Sequence, residues 1–238
     1  METISLCYTQ QHKEICGFQR RKAHHLPSHI YNSMKSISKI THKHLSMSDA
    51  ESLIAAVLYG ESQYQHWRGI TINLTMLDAP QAVETTMRVL MDHLRHWQER
   101  NGAPPFWAWV REQGSVLGDH VHILAAAPPR TGHALRRDIT RWLRGPTIRG
   151  EVLPNTLHIR QTLAVGWLIY VCKTVTPTDA ATLSARSGIR IRPEKPGGPV
   201  IGQRRGIARC LGPKTRNAVL LKMPWAASNT ATHGTVDA

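Results

Sequence analysis

Only two phenylalanines occur in 238 residues, and aromatic residues make up 6% of the chain. A sheet that holds nucleic acid by base stacking presents aromatics on its open face, so the composition supplies little for that mode. Cysteine is scarce as well: Cys7, Cys16, Cys172 and Cys210 show no C-x-x-C spacing, which argues against a disulfide framework or a zinc ribbon. A zinc knuckle from Cys7, Cys16, His24 and His25 would need irregular spacing. No apolar run approaches the roughly 20 residues of a membrane span. The opening METISLCYTQQHKE lacks the charged-then-apolar pattern of a secretion signal. The expectation is a cytoplasmic protein with reduced thiols and no membrane partner. No Gly-rich loop ends in Lys-Ser/Thr, so no fused helicase is expected.

Acidic residues are the other shortage. Sixteen Asp and Glu stand against 30 Lys and Arg, a formal charge of +14. Residues 1–45 carry +5, residues 46–182 only +1, and residues 183–222 carry +9. A near-neutral centre between two basic flanks suits a polyanionic partner, because each neutralised phosphate releases condensed counterions. Solvated tails are the plain alternative.

The length suits one main domain with appendages. Residues 1–45, polar and without sustained period, read as a loosely ordered basic arm. Ser48 with Glu51 spells a capping box and predicts a helix over Asp49–Tyr59. Ile70, Ile72, Leu74 and Met76 alternate with Thr71, Asn73 and Thr75, a strand with one apolar and one polar face. Val83, Met87, Leu90, Leu94 and Trp97 then keep helical spacing. FWAWVRE and GDHVHILAAAP read as two strands joined through a hairpin, RTGHALRRDITRWLRG as a helix, NTLHIRQ as a short strand and TLAVGWLIYVCKTV as a helix stopped by Pro177. From 69 to 175 the order is β-α-β-β-α-β-α, the split pattern of an α+β, ferredoxin-like antiparallel sheet with one extra helix. Beyond Pro177 only GQRRGIARCLGPKTRNAVLLK reads as folded.

The candidate chemistry lies at the hairpin. His120 and His122 share one strand face, and if the hairpin pairs its strands, Glu112 approaches them across the ladder. Two imidazoles and a carboxylate with open positions make a catalytic divalent-metal site. With 14 histidines, about one His-x-His pair is expected by chance, and His42 and His44 form another in a polar stretch. Two hydrogen-bonded histidines on an open sheet face remain the alternative. On the last helix Tyr170 and Lys173 lie three residues apart, on a face with Trp167. A phenol ordinarily ionises at about pH 10 and is a poor nucleophile unless a cation stabilises the phenolate. An ordinary core tyrosine beside a solvated lysine is the alternative here.

Taken in order, ITINLTM at 70–76, HVHIL at 120–124 and YVCK at 170–173 resemble the three motifs of the HUH endonuclease superfamily, specifically its rolling-circle replication initiators. The resemblance spans residues 69–175. It implies a nicking domain over residues 46–180, followed by a basic C-terminal extension over 181–238. It implies Mg2+ or Mn2+ held by His120, His122 and Glu112, with Tyr170 attacking the phosphodiester of single-stranded or origin-hairpin DNA. A 5′-phosphotyrosyl link and a free 3′-hydroxyl for rolling-circle synthesis would result, and Lys173 would orient phosphate or stabilise charge at the tyrosine. Gly166 stands one turn before Tyr170, where two-tyrosine members often carry their second, so the chain resembles the single-tyrosine type, found also in plasmid initiators, relaxases and related transposases. A homo-oligomer on DNA is compatible with that class.

Two rivals stand beside it. A histidine phosphoesterase would need a third histidine or a second His-x-Thr/Ser motif; HVHIL offers leucine at the next alternate position, and LHIRQ around His158 puts Arg160 where the hydroxyl belongs. A ferredoxin-like module that binds nucleic acid without cutting it would not require both Tyr170 and Lys173. Trp107 and Trp109 could stack bases, but alternation places them opposite Glu112, under helices.

Overall fold

The computed structural model describes residues 41–75, 82–114, 118–144, 156–194 and 198–220. By contact the chain divides into residues 1–38 and 39–238, and the described residues all belong to the second unit. Most of the predicted basic arm, and with it Cys7, Cys16, His24 and His25, lies outside the described residues, as does Met76.

The alternation in strand β2 (Trp67–Asn73) decides the architecture. Ile70 and Ile72 are buried on one side, while Thr71 and Asn73 face the other. β2 pairs antiparallel with β4 (Gly118–Ala126) on one flank and β5 (Leu157–Gln161) on the other. β4 pairs with β3 (Trp107–Gly114), and β3 with β7 (Arg205–Ile207). The result is a five-stranded sheet of order β5-β2-β4-β3-β7, antiparallel throughout. A separate short pair joins β1 (Thr41–His42) to β6 (Val200–Ile201). The fold is α+β.

Each face of the sheet carries its own core. On the first, Ile70, Ile72, Trp109, Val121, Ile123 and Ala125 pack under helices α2 (Ala82–Arg100) and α3 (Gly132–Leu143). The α2 side chains there are Val83, Met87, Leu90, Leu94 and Trp97, the helical period of the sequence. On the second face, Trp67, Ala108, Val110, Leu124 and Ala126 pack under α1 (Met47–Gln63), α4 (Ala164–Val171) and α5 (Pro177–Ser187). Each large aliphatic side chain withdrawn from water contributes about 1.5–3 kcal/mol before entropy is counted. Gln98, fully buried on α2, donates to the Phe106 and Ala126 carbonyls at 2.8 and 2.9 Å and ties the helix to β3 and β4.

The expected succession β-α-β-β-α-β-α is present over residues 67–171. Several local expectations need correction. Helix α1 is longer than Asp49–Tyr59 and is capped by Ser46, whose hydroxyl accepts from the Asp49 amide; Ser48 lies inside the first turn and hydrogen-bonds Ser46 instead. The last predicted helix is two pieces, α4 and a 3-10 turn over Cys172–Thr174. Helix α5 falls in a stretch read as unstructured. Thr176 caps it by accepting from the Asp179 amide, Pro177 opens it and Gly188, at φ 71°, ends it. The C-terminal region does more than trail. β7 adds a strand to the sheet, and Arg111 binds the segment before it through its amide to the Arg204 carbonyl and its guanidinium to Ile201. Helix α6 (Pro213–Leu220) follows. No described helix is long and apolar enough to cross a membrane.

Candidate active site

The β3–β4 register sets Glu112 opposite His120 and Val110 opposite His122. Opposed residues point to the same side, so Glu112, His120 and His122 gather on the face that carries α4, near the hairpin end. Gly118 makes the approach: its φ of 62° is a left-handed conformation, and a Cβ there would lie 2.6 Å from Thr75 Cγ2. The three side chains are only 5%, 4% and 6% exposed, unusual burial for such polar groups. Glu112 Oε2 lies 3.7 Å from His120 Nε2 and 3.6 Å from His122 Nε2.

Each imidazole is aimed through its other nitrogen. His120 Nδ1 lies 2.9 Å from the Gly118 carbonyl, to which it can only donate. In the neutral ring that leaves the lone pair on Nε2. His122 Nδ1 lies 3.0 Å from Thr71 Oγ1, so its Nε2 also points at Glu112. Buried Glu112 Oε1 and His122 Nε2 have no hydrogen-bond partner. Such atoms are few in folded proteins and mark a place where something else binds. Burial pushes the Glu112 carboxyl up, but the two imidazoles that face it at 3.7 and 3.6 Å, aided by the charge of Lys173, bring it down to about 2. Burial opposes charge on His120, yet Glu112 and the Gly118 carbonyl hold it above the ordinary imidazole value. For His122 burial wins and the shift is downward.

The trio offers two nitrogens and a carboxylate oxygen, all within 4.8 Å of one another. Donors about 2.1 Å from one ion can stand up to about 4.2 Å apart. The widest pair therefore closes by at least about 0.6 Å, and by about 1.4 Å for donors at tetrahedral angles. Pre-aimed lone pairs, an ionised carboxylate and orphaned buried atoms fit a divalent metal, and two imidazoles suit a transition-metal ion better than Mg2+.

Helix α4 lays Leu168 and Val171 on the sheet, with Cys172 and Val175 beyond it, all 1% exposed or less. Trp167, expected on the face of Tyr170 and Lys173, is buried in the same core. Tyr170 stays 38% exposed. Its ring meets His122 edge to face, with centroids 4.8 Å apart. Lys173 Nζ sits 4.0 Å from the centre of the Tyr170 ring and 3.4 Å from Glu194 Oε2. Burial would lower the Lys173 pKa, but Glu112, Tyr170 and Glu194 together raise it, so the cation persists. The five residues singled out in the sequence thus form one cluster. Trp109 is buried on the opposite face and Trp107 packs against the same core, so neither reaches it.

Two participants were missed. Thr71 had a signal, since it lies on the polar side of the β2 alternation. Glu194 had a fainter one, as the single acid among the ten basic residues of 183–222.

No protein-family model matches the chain, and no curated protein matches it. Among solved structures it is similar to the N-terminal nuclease domain of the minute virus of mice non-structural protein 1, at 11% identity and a TM-score of 0.26, over 64% of this chain and 77% of that one. That domain is described as coordinating Zn2+ in its active-site pocket and recognising DNA at the origin of replication. At such a TM-score the likeness does not define a common fold.

Proposed function

We propose that this protein is a replication-initiator-like endonuclease that nicks single-stranded DNA through Tyr170. The observation that carries the proposal is the conjunction at one point of the sheet: a buried Glu112–His120–His122 trio, a half-exposed tyrosine edge-on to His122, and a lysine over that tyrosine's ring. The strand order β5-β2-β4-β3 supports the ferredoxin-like arrangement that this class requires, with β7 as an added edge.

In this reading Glu112, His120 and His122 would hold a divalent ion, and such an ion would supply Lewis-acid polarisation of the scissile phosphodiester. Tyr170 Oη attacks phosphorus in line with the 3′-oxygen. The Oη–P bond forms, the P–O3′ bond breaks, and the phenol proton passes through solvent to the departing oxygen. The product is a 5′-phosphotyrosyl diester and a free 3′-hydroxyl. One diester replaces another, so strand joining is the same step reversed. Lys173, fixed between the Tyr170 ring and Glu194, stabilises negative charge developing on the phenol oxygen and places the phosphate. Thr71 and the Gly118 carbonyl keep the imidazoles aimed.

The test is incubation with 3′-end-labelled mixed-sequence single-stranded DNA and Mn2+, followed by denaturing electrophoresis. Label should migrate with the wild-type protein and not with Tyr170→Phe, which still binds DNA. Attachment at the wild-type level in Tyr170→Phe would sink the assignment.

A further inference from the structure

A strand whose phosphate lies against Tyr170 must leave the site in some direction, and the β3 side is closed. There Ala108, Val110 and Leu124 are 1% exposed or less beneath the helices, and Arg205 of β7 is ion-paired to Asp49 of α1. The β5 side is different. His122, Thr71 and His158 stand abreast on three neighbouring strands, and one row along Leu124, Gly69 and Arg160 do the same. His158 and Arg160 therefore share the face of the metal trio, yet both are exposed. Strand spacing of about 4.8 Å puts His158 roughly 10 Å from His122. Gly69 contributes no side chain to this floor; a Cβ there would lie 3.3 Å from Thr162 Cγ2 and 3.9 Å from Arg160 Cγ, so Thr162 and the arginine stem flank that bare position. Leu163, at the N-terminus of α4 and 78% exposed, stands where β5 gives way to that helix.

We infer that His158, Arg160 and Leu163 form the track that holds the substrate single strand beside the scissile phosphate. Arg160 supplies charge to a phosphate and a flat guanidinium to a base, His158 a second stacking surface, and Leu163 apolar contact. Single-stranded nucleic acid is held by this combination of charge and flat faces. The exposed residues of β5 include Arg160 and no acid (LHIRQ), which suits a polyanion rather than a basic or apolar protein partner. The proposal rests on the nicking reading for its substrate and goes beyond it in naming where the strand lies.

The experiment uses full-length Tyr170→Phe protein, which cannot cleave, and fluorescent oligothymidylate read by anisotropy across a salt series. Adding His158→Ala with Arg160→Ala should weaken binding by about tenfold or more, the loss of one stacked base. It should also reduce the salt slope by about 0.7, the loss of one phosphate contact. Arg160→Lys should recover the slope without the full affinity. Arg137→Ala, exposed on α3 across the sheet, should change neither. Matched melting temperatures certify folding, since the track residues are exposed. Binding within about twofold of the parent, with an unchanged slope, overturns the track and leaves the nicking reading standing. No binding by the parent at low salt overturns both. A track defect in a protein whose wild type forms no covalent link keeps the surface and removes the chemistry.

Discussion

Replacing Thr71 with valine keeps the branched shape that β2 packs and removes one atom, the hydroxyl 3.0 Å from His122 Nδ1. Without metal, the loss is one hydrogen bond at a half-buried position, about 1 kcal/mol. At about 3 °C per kcal/mol for a chain of this size, melting falls by about 3 °C. The larger effect concerns metal. Outer partners of ligating histidines change metal affinity 10–100-fold. Taking the smaller factor, Mn2+ at 100 times the wild-type Kd stabilises the wild type by about 2.7 kcal/mol and the variant by about 1.4 kcal/mol. The metal-induced rise in Tm is then about 8 °C for the wild type and about 4 °C for Thr71→Val. Calorimetric melting of chelator-treated protein with and without Mn2+ measures both terms, and Thr71→Ser should restore the full rise. Equal rises in wild type and valine variant would refute the argument that Thr71 aims His122 at a metal.

Three further outcomes follow from packing. Gly206→Ala would drive a Cβ into the Trp109 indole, within 2.6 Å of Cε2, so β7 should loosen and stability fall by about 1–3 kcal/mol; unchanged melting and tryptophan fluorescence would contradict the close approach. Gln98→Leu removes two buried hydrogen bonds and should cost about 2 kcal/mol or more, read as a shift in the urea midpoint; a stabilised variant would show that the β3 and β4 carbonyls do not depend on it. Burial holds the Cys172 thiol up at about 12, with Glu112 adding to the shift, so no appreciable thiolate exists at pH 8. Peptide-level mass spectrometry after maleimide treatment should find Cys172 unmodified in native protein and modified in urea, and native labelling would overturn its placement.

The central succession of elements was legible because β2 and α2 each turn an apolar side to the core, which leaves a period in the sequence, while β3 and β4, buried on both faces, show as short apolar runs bounded by turn residues. Strand alternation put His120 and His122 on one face, but the register that brings Glu112 opposite His120 depends on the hairpin, because β3 is buried on both faces and its apolar run does not fix which residues pair. What the sequence hid was tertiary. Helix α5 carries small residues, with Ala180 and Leu183 its buried apolar positions, so no apolar stripe announced it. Residues 202–222 read as a part that folds or docks, but Arg204 and Arg205 gave no strand signal, whereas β7 is held by backbone pairing and by an ion pair to Asp49. Deleting 183–222 to test DNA binding would therefore strip a strand and part of a core. Substituting exposed Arg190 and Arg192 tests the charge without that damage. At the site, composition supplied the ligands, but the partner of each ring nitrogen depended on register and hairpin geometry that spacing cannot fix.

Strand β7 meets β3 with Ala108 opposite Ile207, roughly 100 residues apart. Thr41 likewise waits for Ile201. During synthesis the β3 edge therefore stands bare, a row of unpaired amides and carbonyls able to template pairing with another chain, until nearly all the described residues have left the ribosome. The last strand seals that edge, and it does so on the flank away from Arg160, leaving β5, among the described residues, as the margin of the sheet with one strand partner.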